Sequence, residues 1–158
     1  MSLINTEFLA EVAPDVFVDV FNKQLEYDKD FDYNIELFKI IIYTVKMDKY
    51  EFVKYIERLH LDDEYKQELY NKGLELSIMY NKLEYMKECL KLLKTINITD
   101  YMISDAIAFK GNEIVEYLIE NGFYTNYEKA MRFSMDNNKM RRWLLDYNTD
   151  YNTDYAWI

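Results

Sequence analysis

Cys89 and His60 are the only thiol and imidazole in a chain of 158 residues. A thiolate–imidazole nucleophile needs the two side chains in contact. Cys89, however, shares its register with Ile56, Leu118 and Leu144, where a free cysteine packs as a small hydrophobe. His60 follows a helical pattern, where a polar or cationic residue suits the negative helix end. Glu51, Glu84 and Glu113 form a row of carboxylates that could hold a cation. Each also falls at the start of a helix, where a negative charge suits the dipole, and successive repeats set them far apart. Lys139, Arg141 and Arg142 form a small basic cluster on an otherwise acidic chain. With three glycines there is no Gly-rich phosphate loop, and no His-Glu-x-x-His or Cys-x-x-Cys occurs. These residues predict no enzyme, no catalytic or metal site and no cofactor.

The elements that position these residues are helical. Three Gly and one Pro are too few for the many turns of a β-sandwich. At this length the chain forms one domain with a sizeable core. Residues 1–36 carry nine acids against two lysines, residues 37–110 balance at twelve of each, and residues 111–158 carry eight acids against five bases. The net charge of −10 therefore resides mainly in the N-terminal segment and opposes direct nucleic-acid binding. One cysteine excludes an internal disulfide framework. The start, MSLINTEFLAEVAPDVF, lacks a basic stretch followed by an apolar run, and no apolar run approaches a membrane span. A cytoplasmic location is expected, that of the host if the source is viral, with no membrane partner.

Four stretches align without a gap: TVKMDKYEFVKYIE from Thr44, SIMYNKLEYMKECL from Ser77, AIAFKGNEIVEYLI from Ala106 and RFSMDNNKMRRWLL from Arg132. The first position is small in three of the four. Polar turn formers follow the fourth position: Asp48-Lys49, Asn81-Lys82, Lys110-Gly111-Asn112 and Asp136-Asn137-Asn138. Phe52, Tyr85, Ile114 and Met140 then precede Ile56, Cys89, Leu118 and Leu144 by four residues, placing both sets on one helix face. Each unit reads as a helix, a tight turn and a second helix packed back on the first. Such pairs bury their apolar faces by stacking. The predicted fold class is all-α, a short solenoid of about four stacked helix pairs with an N-terminal helical cap. The cap covers 1–34, the pairs 35–146 and a C-terminal tail 147–158, all in a single domain. Pro14 fits the first turn of a cap helix. Arg141 replaces the apolar Val53, Met86 and Val115, which suits a last unit without a further neighbour. The tail, with its doubled Tyr-Asn-Thr-Asp, reads as extended.

The third unit resembles the ankyrin repeat, with its small-residue first helix, Gly-containing turn, Glu-Ile-Val-x-x-Leu second helix and Asn121-Gly122 stop. The resemblance runs from Ile35 to Asp146. No unit carries the Thr-Pro-Leu-His opening, and the later steps are too short for a full β-hairpin finger. The chain is thus similar to the degenerate ankyrin-like proteins of large DNA viruses and some phages. That resemblance implies a protein-binding scaffold that blocks or recruits a host protein.

Met47, Tyr80, Phe109 and Met135 share the fourth position of the repeat. Such a stripe is either core or, at the end of the first helix, an adaptable partner-binding row. The partner's identity and the oligomeric state are not encoded in these patterns. An alternative function places the activity in the acidic N-terminal segment, as a nucleic-acid mimic that blocks a DNA- or RNA-binding protein of host defence or replication.

Overall fold

A computed structural model of the chain describes residues 6–151. Among the described residues there are helices and no strand. They fall into two compact units, Met1–Ile96 and Asn97–Ile158.

The first unit begins with α1 (Thr6–Val12) and α2 (Pro14–Tyr27), the latter with Pro14 in its first turn. The missing N–H and fixed φ of proline cost nothing there. Phe17 and Phe21, one turn apart on α2, are buried, and Phe17 meets Phe52 edge-on at 5.5 Å between ring centroids. Next come α3 (Tyr33–Lys46), the 3₁₀ helix η1 (Tyr50–Arg58), α4 (Asp63–Met79) and α5 (Leu83–Leu92). Asp32 and Asp62 cap α3 and α4 by accepting from the N–H groups of Ile35 and Tyr65. α3 packs on α4, and η1 packs on α5.

The second helix of the first pair is 3₁₀ and not α. Val53, Ile56 and Leu59 recur every third residue and all are buried. At three residues per turn Val53 and Ile56 eclipse one another, while Phe52 beside them and Leu59, the extended C-cap, add to the buried side. In α5 the buried positions are Tyr85, Met86, Cys89 and Leu90, an α-helical spacing.

The second unit contains α6 (Asp100–Ala108), α7 (Asn112–Glu120), α8 (Tyr127–Phe133) and α9 (Asn138–Tyr151). α6 packs on both α7 and α8, and α8 on α9. Ile103, Ala106, Ile107, Ile114, Val115, Leu118, Ala130, Met140 and Leu144 supply its buried core.

Three turns are built alike. After α3, α4 and α6 the residues Asp48, Asn81 and Lys110 take positive φ of 53°, 58° and 59°. The next residue donates its N–H to the carbonyl five back: Lys49 to Thr44, Lys82 to Ser77 and Gly111 to Ala106, at 2.7–2.8 Å. Each is a Schellman ending that satisfies otherwise orphaned carbonyls. In the third turn the left-handed residue is Lys110, while the adjacent Gly111 has φ −79°. Gly122, at φ +74°, ends α7 in the same way.

The fourth stretch departs from the gapless alignment. Its second helix keeps register, since Met140 and Leu144 are buried like Phe52 and Ile56. Its first helix does not. Arg132 is exposed, and the buried small residue facing the core is Ala130. The turn is one residue longer and contains no left-handed residue; Ser134 is buried within it and donates its hydroxyl to the Met131 carbonyl. Asn137 secures this longer turn by donating to the Ile107 carbonyl and to Asn112 Oδ1.

The tail starting at residue 147 also differs from its reading as extended. α9 continues to Tyr151 because Tyr147 stacks on both Trp143 and Tyr127, and Asn148 is buried. The remainder of the tail, residues 152–158, lies outside the described residues.

Candidate functional site

Cys89 is a core residue. It is 1% exposed, and burial pushes its thiol far above the ordinary range, so it stays protonated. It lies against Gly73 of α4. His60 is exposed beyond η1, its backbone N–H donating to Asn22 Oδ1. The fold therefore gives Cys89 a packing role and denies it the solvent access that a nucleophile needs.

Glu51, Glu84 and Glu113 stand in the first turns of η1, α5 and α7, where the helix dipole favours them. Glu84 is paired with Lys87. Among the described residues no three His, Cys, Asp or Glu side chains gather closely enough to hold a metal ion. Of the basic cluster, Lys139 and Arg142 are exposed, and Arg141 is half-buried where Val53, Met86 and Val115 are fully buried.

A cavity of about 330 Å³ lies between the start of α4 and the end of α5. Its charged lining is mixed, Glu57 and Asp63 against Lys66 and Lys94. Lys66 Nζ is taken up by the Glu57 carbonyl, and Gln67 bridges the Leu92 carbonyl and the Lys94 N–H.

The row of large apolar residues lies on the surface. Met47, Tyr80, Phe109 and Met135 are 51%, 38%, 68% and 59% exposed. Met47, Tyr80 and Phe109 are the C-cap residues of α3, α4 and α6, each just before the left-handed residue. A C-cap has left the face that packs inward, so its side chain projects at the turn. Met135 follows the C-cap Ser134 in the longer turn. Met47 and Tyr80 belong to the first unit, Phe109 and Met135 to the second.

Exposed apolar groups extend beyond this row. Phe38 and Met79 are 42% and 47% exposed, a signal that helical periodicity alone does not separate from the core. Cations lie over two of the aromatic rings. Lys72 Nζ is 4.9 Å from the Phe38 centroid, and Lys46 Nζ is 5.3 Å from that of Tyr80.

The acidic N-terminal segment is partly tied down. Glu11 accepts from the Tyr43 hydroxyl and pairs with Lys49, which holds its carboxyl below the usual range. Asp15 pairs with Arg58, Asp28 accepts from the Asp30 N–H and Asp32 caps α3.

Comparison of the chain with protein-family models, curated proteins and solved structures gave no match. No helix among the described residues is long and apolar enough to cross a membrane.

Proposed function

We propose that the chain is a protein-interaction module, a short ankyrin-like solenoid that binds a protein through apolar side chains at its turns. The observation behind this reading is the exposure of Met47, Tyr80, Phe109 and Met135 at successive turns. Single exposed hydrophobes need no explanation, but a large apolar residue at the C-cap of three turns, with Met135 one residue past the C-cap in the fourth, does. None of these side chains is needed to fill the core. Tyrosine, phenylalanine and methionine are also residue types that anchor interfaces.

The test is the double variant Tyr80→Ser/Phe109→Ser, immobilised beside the natural chain and offered the same cell extract. The variant keeps its melting temperature within a few degrees, because neither residue is core. Proteins retained by the natural chain and lost by the variant are the partners. A variant that melts normally and retains the same proteins refutes the reading. The alternative, an acidic nucleic-acid mimic, predicts binding that survives this double variant and collapses with added salt. It is the weaker reading because Glu11, Asp15, Asp28 and Asp32 already serve internal contacts.

A further inference from the structure

The cavity at the start of α4 is lined by four charged side chains, Glu57 and Asp63 against Lys66 and Lys94. Opposite charges around one space ordinarily pair, yet among the described residues no ion pair joins any two of them. Lys66 Nζ donates to the Glu57 backbone carbonyl, while the two carboxylates and the Lys94 ammonium have no hydrogen-bond partner among the described residues. The wall of the cavity carries an independent observation. Asp63, Lys66, Gln67 and Tyr70 follow one another at helical spacing and share one face of α4. Tyr70 is 3% exposed, and its hydroxyl is a buried polar atom without a hydrogen-bond partner. Native folds supply such groups with a partner, because leaving one unmade is costly. Burial above all, and then Glu57, hold this phenol protonated, and Asp63 acts on it in the same direction. A second recess beyond Gln67 shares Asp63 and Lys94 and adds Glu64 and Glu68, so acids outnumber cations around this end of α4.

We propose that this cavity binds a small zwitterion, a free amino acid with a short apolar side chain. Its ammonium is held by Glu57 and Asp63 and donates to the Tyr70 hydroxyl oxygen. Its carboxylate meets Lys94, and its side chain rests on Leu92 and the Tyr70 ring. A volume of about 330 Å³ lies at the small end of ligand sites, which suits a molecule of this size. The unpaired groups select the class. An amine without a carboxylate leaves Lys94 unanswered and is repelled by both lysines. A carboxylate without an ammonium meets the acid excess and leaves the hydroxyl with two unanswered carboxylates beside it. A ligand carrying both charges answers all of these groups at once, through charge-assisted hydrogen bonds.

The experiment is isothermal titration calorimetry of the full chain with glycine, L-alanine and L-leucine. Isoamylamine and 4-methylpentanoate serve as leucine analogues that each lack one charged group. Leucine gives one saturable site, and each analogue binds at least about tenfold more weakly. Glu57→Gln/Asp63→Asn weakens leucine about tenfold and Lys94→Gln about fivefold. Both variants keep the melting temperature within a few degrees, since all three side chains belong to exposed residues. Tyr70→Phe weakens leucine about threefold and keeps or raises the melting temperature of the free chain, because it removes an unsatisfied hydroxyl. No saturable binding of any of the three amino acids below about 10 mM overturns the proposal. An analogue that binds as tightly as leucine overturns it as well, since one charge then suffices. So does leucine binding that is indifferent to Glu57, Asp63 and Lys94, which places the ligand elsewhere. A Tyr70→Phe chain that melts well below the natural one gives the hydroxyl a partner already, such as a buried water, and overturns the site. The interaction reading stands or falls separately, on the Tyr80→Ser/Phe109→Ser pair.

Discussion

Replacing Gly73 with alanine tests the packing of α4 on α5 at its tightest point. A Cβ at Gly73 stands 2.8 Å from Cys89 Sγ and 3.2 Å from Tyr85 Cε1. The Tyr85 ring is fully buried and its hydroxyl is hydrogen-bonded to Thr44 Oγ1 at 2.9 Å, so retreat of the ring breaks that bond. Cys89 has one rotatable side-chain bond in an equally closed site. Overpacking of this kind costs about 1–3 kcal/mol. Alanine returns up to about 1 kcal/mol of helix propensity over glycine. The net expectation is a loss of about 0.5–2 kcal/mol. Cys89→Ala alone removes one buried sulfur, at a cost of about 1 kcal/mol. In that background the 2.8 Å clash is gone and only the 3.2 Å approach to Tyr85 Cε1 remains, so helix propensity offsets what is left and Gly73→Ala becomes close to neutral. The coupling between the two sites then lies in the range of about 0.5–3 kcal/mol expected for touching residues. Urea titrations followed by far-ultraviolet circular dichroism give the four free energies of the cycle. Gly73→Ala that stabilises the natural chain, or costs the same in both backgrounds, refutes the packing argument.

Leu118→Ala in the second unit removes a side chain with no exposure and should cost about 2–5 kcal/mol, read from the same titrations. Lys110→Gly should raise the melting temperature slightly: relief of about 1–2 kcal/mol of left-handed strain outweighs about 0.5–1 kcal/mol of added backbone entropy. Lys110→Ala should give no such gain. Asp100 is held below the usual carboxylate value of 3.8 by the ammonium of Lys129 and the hydroxyl of Tyr124. A lowered folded-state value means stability that is complete above pH 3.8 and lost as the pH falls toward the folded value. Asp100→Asn should therefore destabilise the chain at pH 7 while flattening its loss of stability below pH 3.8, as checked by urea midpoints at pH 7 and pH 3.

Local pattern was enough to read the helix pairs. The i, i+4 apolar spacing identified Phe52 with Ile56, Tyr85 with Cys89, Ile114 with Leu118 and Met140 with Leu144, and all eight are buried. Proline at the start of α2 and the Asn121-Gly122 stop of α7 were equally legible, because backbone stereochemistry fixes both within a few residues. The same short-range rules account for the left-handed Asp48 and Asn81, whose side chains tolerate positive φ better than most.

Longer-range decisions were made by packing. The fourth pair has one more turn residue than the others, and Ala130, not Arg132, takes the buried place in α8; an alignment anchored on the second helix does not detect that slip. α9 reaches Tyr151 through the stacking of Tyr147 on Tyr127 and Trp143, contacts made across helices or one turn along the same helix. Likewise, composition and spacing presented Met47, Tyr80, Phe109 and Met135 as a stripe of the kind that usually packs in the core, with a partner-binding row as the other reading. The tertiary structure decided for the surface, because a helix that ends one residue earlier or later turns its last side chain from the core toward solvent.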